Sequence, residues 1–309
     1  MKRKWFGLLL LGLGGFLLGV GVLATVWAPG VVKKTPLDVD QTTHLSGTVQ
    51  KLDTKTGAFD EQPVKVQSIS KTDANASDDD TVVWVQTACV VIDINDAPDC
   101  VDGDDPRLVT ASTDVFATDR VSADAVPDFE GLPDDAVPHE GLVNKWPFDA
   151  EKRDYPYWED TLGTAVDAVY DRTEDVAGVE TYVYTVTTTE APIEIAEGVP
   201  GTYTDVKEIY VEPKTGAIQL QTDNQQRFLE DGTQVLDLNI RFTDEQVDAF
   251  ADDAKSNMQM LEMMTTGMPI VGFVGGALCL LAGLALLLTA RRSGGRSDTE
   301  KKELAGASS

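Results

Sequence analysis

The segment KEIYVEPKTGAIQLQTDNQQRFL, residues 207–229, predicts a β-hairpin. Both halves are rich in strand-forming Ile, Val, Tyr and Leu, and Pro213 and Gly216 bracket a four-residue turn between them. Proline presets the backbone for the start of a chain reversal, and glycine accepts the conformation needed to close it. The centre of the chain is therefore expected to contain an antiparallel sheet.

Strand patterns continue on both sides of this hairpin. Four further segments rich in Val, Ile and Thr are bounded by Asp, Asn and Gly, which is typical of strands. They are HLSGTVQKL (44–52), TVVWVQTACVVIDI (81–94), VETYVYTVTTT (179–189) and QVLDLNIRFT (234–243). Another turn is expected at 119–123. The predicted fold class is mainly β (α+β), an antiparallel β-rich domain flanked by two transmembrane helices.

Helix is predicted in only two segments of this domain. In 160–172, Val166, Val169 and Tyr170 have helical spacing. In 243–267, Thr243 and Gln246 form a capping box at the start of an apolar stripe. The segments 68–80 and 122–141 are rich in Asp, Ser, Pro and Gly, and we expect mobile surface loops there.

Two apolar runs flank the domain, and each is long enough to span a bilayer. The first, 5–27, exceeds the apolar core of a signal peptide and has no clear cleavage site, so we expect it to stay as an anchor. The second occupies 267–290. The predicted organisation is a cytoplasmic N-terminus (1–4), transmembrane helix 1 (5–27), an extracytoplasmic acidic domain (28–266), transmembrane helix 2 (267–290) and a cytoplasmic tail (291–309).

The distribution of charge predicts the orientation of these helices. Eight of the 25 Lys and Arg residues and three of the 52 acids lie outside 33–266, which leaves that segment a net charge of −32. Lys2, Arg3 and Lys4 precede the first helix, and Arg291, Arg292 and Arg296 follow the second. By the positive-inside rule both termini are cytoplasmic and the acidic domain lies outside, in a two-pass protein of the cell membrane. Such an acidic surface also excludes nucleic acid as a partner.

Both apolar runs contain a GxxxG spacing, Gly15 with Gly19 and Gly272 with Gly276. Small residues four apart allow helices to approach closely, either with each other or in a homo-oligomer. The alternative is that these glycines only reflect the high glycine content of membrane helices.

The acidic domain contains two cysteines, Cys89 and Cys100, and outside the cytoplasm they are predicted to form a disulfide. Cys279, in the second apolar run, is interpreted as a packing residue. The acidic loop around Cys100 suggests calcium, because hard cations bind clustered oxygens. Its candidate ligands are Asp93, Asn95, Asp96, Asp99, Asp102, Asp104 and Asp105. Their spacing does not match a calcium-loop motif, so we predict solvated charge and no metal site.

Catalytic motifs are missing from the sequence: it has no G-x-S-x-G, Walker loop, H-E-x-x-H or C-x-x-C, and only two histidines, His44 and His139. We therefore expect neither an enzyme nor a cofactor.

The densest aromatic segment of the chain, 145–158, also carries three cations. We considered it as a ligand-contact surface, in which rings stack on a lipid or glycan and the cations hold an anionic head. The candidate contacts are Lys145, Trp146, Phe148, Lys152, Arg153, Tyr155, Tyr157 and Trp158. The favoured alternative is that these rings form the core of the domain, because buried aromatics dominate core energetics.

Several motifs of this chain together resemble the actinobacterial PorA-like porin family. They are STDVFATDR (112–120), LVNKWPFDAEKRDYPYWEDTLGTAVDAVY (142–170), GVETYVYTV (178–186) and YVEPKTGAI (210–218). The family name implies an ion-permeable channel of the cell wall, although most members are of unknown function. The sequence itself predicts short strands with charge on both faces, unlike the apolar outer band of a porin barrel.

Two functions follow from the sequence. The first is a non-enzymatic two-pass envelope protein whose outer domain binds or transfers a lipid, a glycan or a partner. The alternative is a porin or channel component, as the resemblance implies.

Overall fold

A computed structural model describes residues 2–289, excluding the side chain of Lys2. Ten strands form its largest element, a single half-barrel sheet. They are β1 (Asp40–Lys51), β2 (Glu61–Asp73), β3 (Thr81–Ile92), β4 (Leu108–Asp119), β5 (Tyr155–Glu159), β6 (Thr164–Val176), β7 (Val179–Ala196), β8 (Val199–Glu212), β9 (Ala217–Leu229) and β10 (Gln234–Phe242). The helices are α1 (Lys2–Val26), the short α2 (Pro29–Val32) and α3 (Asp244–Glu262).

Every pairing in the sheet is antiparallel, in the order β4-β3-β2-β1-β10-β9-β8-β7-β6-β5. The first four strands form one meander and the last six form another. Pairing of β1 with β10, from Leu45–Phe242 to Lys51–Leu236, joins the two meanders. The predicted fold class and the predicted hairpin at 207–229 are confirmed.

Two sequence predictions about this sheet were wrong. Residues 164–176 form strand β6, not a helix: Ala168 is fully buried while Val169 is 47% exposed, so neighbouring residues alternate between faces. The segment 68–73 extends β2 and is not a loop. The strands are also longer than expected, because all except β5 contain 9 to 18 residues.

Helix α3 begins where its capping residues predict. The backbone N–H of Gln246 donates to Thr243 Oγ1 at 3.2 Å, as an N-cap requires. The side chain of Gln246 does not return to Thr243 but accepts a hydrogen bond from the backbone N–H of His44 at 3.0 Å. Half of the capping box is thus used to attach α3 to β1.

The long loop between β4 and β5 connects the two edges of the sheet. Four backbone hydrogen bonds of 2.8 Å lead from one edge strand to the other through this loop. They run from Val126 N to Ala117 O, from Ala125 N to Gly141 O, from Leu142 N to Pro156 O and from Trp158 N to Leu142 O. One hydrophobic cluster contains Phe116 from edge strand β4, Trp84 from the neighbouring β3 and Trp158 from edge strand β5. The sheet therefore curves until the loop joins its edges.

Residues Lys34–Met258 form one compact unit, and the helical segments before and after it form a second. Two helices are long and apolar enough to cross a membrane, Arg3–Val26 and Asp244–Thr289. The second contains α3 and continues through π-helical turns at Met263–Gly267 and Val271–Gly275. The predicted tail 291–309, with its arginines, and the end of the predicted second transmembrane segment at Ala290 lie outside the described residues.

Glycines let the two long apolar helices approach closely. A Cβ added to Gly14 would lie 2.9 Å from Gly276 O, and one added to Gly272 would lie 2.6 Å from Gly21 Cα. The Gly272–Gly276 pair therefore packs within the chain. Gly15 and Gly19 differ, because a Cβ on either would meet nothing within 4 Å.

Candidate functional site

The aromatic stretch is held in place by the hairpin turn that the sequence predicted. The backbone N–H of Trp146 donates to Gly216 O at 2.8 Å, and Gly216 has a φ of +74°. A side chain on Gly216 would collide with the backbone carbonyl of Trp146. Glycine is thus required here both by the turn and by the close approach of the loop.

The rings of this stretch lie in the core of the sheet unit. Trp146 has no exposed surface and stacks on Tyr157 and Tyr184, with ring centroids 5.6 and 5.1 Å apart. Tyr155 and Trp158 are 4% and 6% exposed. The core interpretation is confirmed for the four buried rings of the stretch, which offer no open stacking groove. They are Trp146, Tyr155, Tyr157 and Trp158.

The three cations of the stretch differ in their surroundings. Lys152 and Arg153 are exposed and lie over rings, with Lys152 Nζ 4.8 Å from Tyr182 and Arg153 Cζ 4.0 Å from Tyr155. Lys145 Nζ is buried 4.0 Å above the half-buried ring of Phe148 and has no hydrogen-bond partner among residues 2–289. Burial lowers the pKa of Lys145 to about 7, and Glu212 opposes this only in part.

A buried ionic cluster centres on Lys207 of β8. Its Nζ lies 2.9 Å from Glu159 Oε2, 3.7 Å from Asp205 Oδ2 and 3.6 Å from Asp223 Oδ2. Burial lowers the pKa of Lys207, but the surrounding acids and Tyr157 outweigh this and raise it. Lys207 is therefore a fixed cation surrounded by three acidic side chains.

The carboxyl group of Asp205 lacks hydrogen-bond partners within this cluster. It is fully buried, and neither of its oxygens has a hydrogen-bond partner among the described residues. Thr188, directly opposite on β7, has an unpartnered hydroxyl, and Asp223 on β9 has one unpartnered oxygen. Burial and repulsion from Asp223 raise the pKa of Asp205 to about 8 despite Lys207, so it holds a proton at neutral pH.

A second polar cluster lies where the loop crosses between the sheet edges. The side chain of His139 is 2% exposed and lies between Phe116 and Trp158, with ring centroids 5.1 and 4.3 Å away. Its Nδ1 is 2.7 Å from Val137 O, and its Nε2 is 2.8 Å from Asp114 Oδ2. Burial lowers the pKa of His139, but these two acceptors outweigh it and raise the pKa.

Asp160 completes this cluster. One ligand atom each from Asp114, His139 and Asp160 lies within 4.8 Å of the others, and these residues could hold a metal ion. Sequence reasoning missed the group, because the three residues are widely separated in the chain and His139 stands in a segment expected to be a mobile loop. Only the approach of the two sheet edges brings them together.

The acidic loop at 93–105 is tied to cationic groups. Lys65 Nζ lies 3.6 Å from both Asp93 and Asp99 and donates to Ala97 O, while Arg107 binds Asp105 at 2.7 Å. The predicted disulfide between Cys89 and Cys100 is present, with a Cα–Cα distance of 5.6 Å. These contacts account for the fixed shape of the loop.

In a comparison with protein families, a family model described as Porin PorA matches residues 6–285. No curated protein matches the sequence.

Proposed function

Because this chain belongs to the Porin PorA family, we propose that it is a two-pass protein of the cell envelope whose sheet unit lies outside the cytoplasmic membrane and binds or passes on a ligand. A family match over nearly the whole chain, with two helices that could cross a membrane, indicates a membrane protein.

The observation that carries the proposal is the pair of apolar helices packed through glycine. Gly7, Gly14 and Gly21 of α1 recur every seven residues, and a Cβ on any of them would touch the C-terminal helix. In lipid there is no hydrophobic drive between helices, so close packing of this kind is what stabilises a two-helix anchor. The basic residues beyond both helices support the cytoplasmic location of the termini.

The proposed ligand contacts are Lys152 and Arg153, the exposed cations of the aromatic stretch. Each lies over a tyrosine ring, which restricts its movement, and both side chains are exposed. Arg153 also lies 3.3 Å from Glu151 Oε2, so a ligand would compete with that carboxylate. An anionic headgroup of a lipid or an acidic glycan fits such a pair. We propose no catalytic role, since the sequence carries no catalytic motif.

Fractionation and protease treatment of whole cells test the topology. The full-length chain carries epitope tags at both termini or, in a matched variant, one tag in the exposed turn at 54–57. We expect the protein in the cytoplasmic membrane fraction, both terminal tags protected, and the turn tag digested. Recovery in an outer wall layer, or digestion of a terminal tag in intact cells, would overturn the two-pass proposal.

A second candidate function is an ion-permeable channel, which the family description supports. The observation in its favour is the row of buried ionisable groups on one face of β8 and β9, where register places Asp205, Lys207 and Asp223 together. An observation against the channel is that strand β8 carries Glu208 on its other face. The outer face of a membrane barrel is instead an apolar band that contacts lipid. Conductance of the purified chain is measured in planar bilayers at pH 9, where Asp205 is ionised. A change of ion selectivity in Asp205→Asn, with none in the exposed Asp134→Asn, would favour the channel.

A further inference from the structure

We propose that Asp114, His139 and Asp160 form a binding site for one divalent transition-metal ion of the zinc class, which links the two edge strands of the sheet. The proposal does not depend on the proposed function, because it concerns how the sheet unit is closed.

The orientation of His139 is that of a metal ligand. Its Nδ1 faces the carbonyl of Val137 at 2.7 Å, so Nδ1–H donates to that carbonyl while Nε2 binds a metal. Without metal, Nε2 must carry a proton to hydrogen-bond Asp114 Oδ2 at 2.8 Å, and the ion would take the place of that proton. Histidines that bind metals commonly donate their second ring N–H to a carbonyl or carboxylate in this way.

The spacing of the donor atoms also fits one ion. Zinc binds histidine nitrogen and carboxylate oxygen at about 2.0–2.2 Å, so two ligands of one ion stand about 3 Å apart. Asp114 Oδ2 and His139 Nε2 are 2.8 Å apart, and one carboxylate oxygen of Asp160 lies within 4.8 Å of a ligand atom of each residue. A modest movement of the exposed Asp160 would bring its oxygen to ligand distance from the same ion.

The chemistry of the donors selects the class of metal. One imidazole and two carboxylates favour zinc over calcium, which takes oxygen ligands alone. Two carboxylates balance the charge of one divalent ion. Because Asp160 is exposed, the ion has a path of entry and room for water as a further ligand.

The position of the site indicates what the ion would do. Asp114 belongs to β4, one edge of the sheet, and Asp160 follows β5, the other edge. His139 belongs to the loop between them and packs on Phe116 and Trp158. A bound ion would join all three segments, so binding should stabilise the sheet unit.

Thermal unfolding of the full-length protein in detergent tests the site. The untagged chain is first treated with a chelator, dialysed, and then heated with Zn²⁺, with Ca²⁺ or without metal. We expect one equivalent of Zn²⁺ to raise the Tm by about 5 °C and to change the fluorescence of Trp158, whose ring lies 4.3 Å from His139.

Three variants make the result decisive. Asp160→Asn changes an exposed side chain, so it should leave the metal-free Tm unchanged and abolish the zinc response, as should His139→Gln. His44→Gln, at the exposed histidine, should retain the full response. No zinc response in the wild type, a response that survives Asp160→Asn, or an equal response to Ca²⁺ would each overturn the proposal.

Discussion

At the scale of single residues, Asp205 makes the stability of the sheet depend on pH. In the unfolded chain this carboxyl titrates near its ordinary value of 3.8, whereas in the fold it holds its proton to about pH 8. Between these values the folded state binds more protons than the unfolded state, so stability falls as pH rises. The shift sets an upper limit of roughly 6 kcal/mol on this loss.

Asp205→Asn should remove this dependence. An amide has nearly the same shape and does not titrate, so the variant should match the wild type near pH 4 and exceed it in free energy of unfolding at pH 8. Denaturant titrations at the two pH values measure the difference. Asp134→Asn, at an exposed loop position, provides the matched control. Identical pH profiles for Asp205→Asn and the wild type would contradict the assigned pKa.

Neither buried polar cluster could be predicted from the sequence. Glu159, Asp205 and Asp223 are three of 52 acids, and no local spacing marks them. They meet at Lys207 only because the register of β8 against β9 pairs Lys207 with Asp223. The core position of Trp146 was predictable, because a large ring between extended segments has little alternative but burial.

At the scale of secondary-structure elements, the sequence predicted strands β1, β3 and β7–β10 and both long apolar helices, and it failed at β6. Val166, Val169 and Tyr170 satisfy a helical spacing, but the pairing of Tyr155 with Ala168 makes this segment the partner of β5. A local stretch of sequence does not show that β5, which follows the long loop, pairs with this segment. Tertiary pairing therefore determines its structure, despite the helical spacing of its apolar residues.

The packing of the two long apolar helices gives a prediction with an internal control. Gly14→Leu places a side chain where a Cβ alone would lie 2.8 Å from Leu280 Cγ. Gly15→Leu, one residue later, meets open space. We expect Gly14→Leu to destabilise the helix pair by about 2 kcal/mol and Gly15→Leu to have little effect.

Heating in mild detergent, followed by circular dichroism at 222 nm, compares the two helix variants. Equal midpoints for Gly14→Leu and Gly15→Leu would show that the glycines of α1 do not set the packing. A lower midpoint for Gly15→Leu would instead indicate that this face of the helix has a partner of its own.

At the scale of the whole molecule, one strand pairing holds the sheet together. The meander β1–β4 and the meander β5–β10 share a single ladder, between β1 and β10. Gly47 lies in this ladder so close to Asn239 that a Cβ would collide with its backbone carbonyl. We expect Gly47→Ala to lower the free energy of unfolding of the sheet unit by about 3 kcal/mol.

Denaturant unfolding of the full chain, followed by tryptophan fluorescence, tests this expectation. Gly103→Ala is the matched control, because a Cβ at Gly103 meets nothing within 4 Å. Loss of stability in Gly47→Ala alone is the expected result. Equal stability in both variants would mean that the ladder tolerates a wider separation of β1 from β10.

The same pairing has a consequence for biosynthesis. β1 leaves the ribosome roughly 190 residues before β10, which at about 5–20 residues per second is a delay of ~10–40 s. During that interval the nascent β1–β4 meander has an unpaired strand edge, the feature that lets sheets of neighbouring chains join. The order of the strands thus sets a delay in folding, during which the emerging chain must be kept from its neighbours until its last strand arrives.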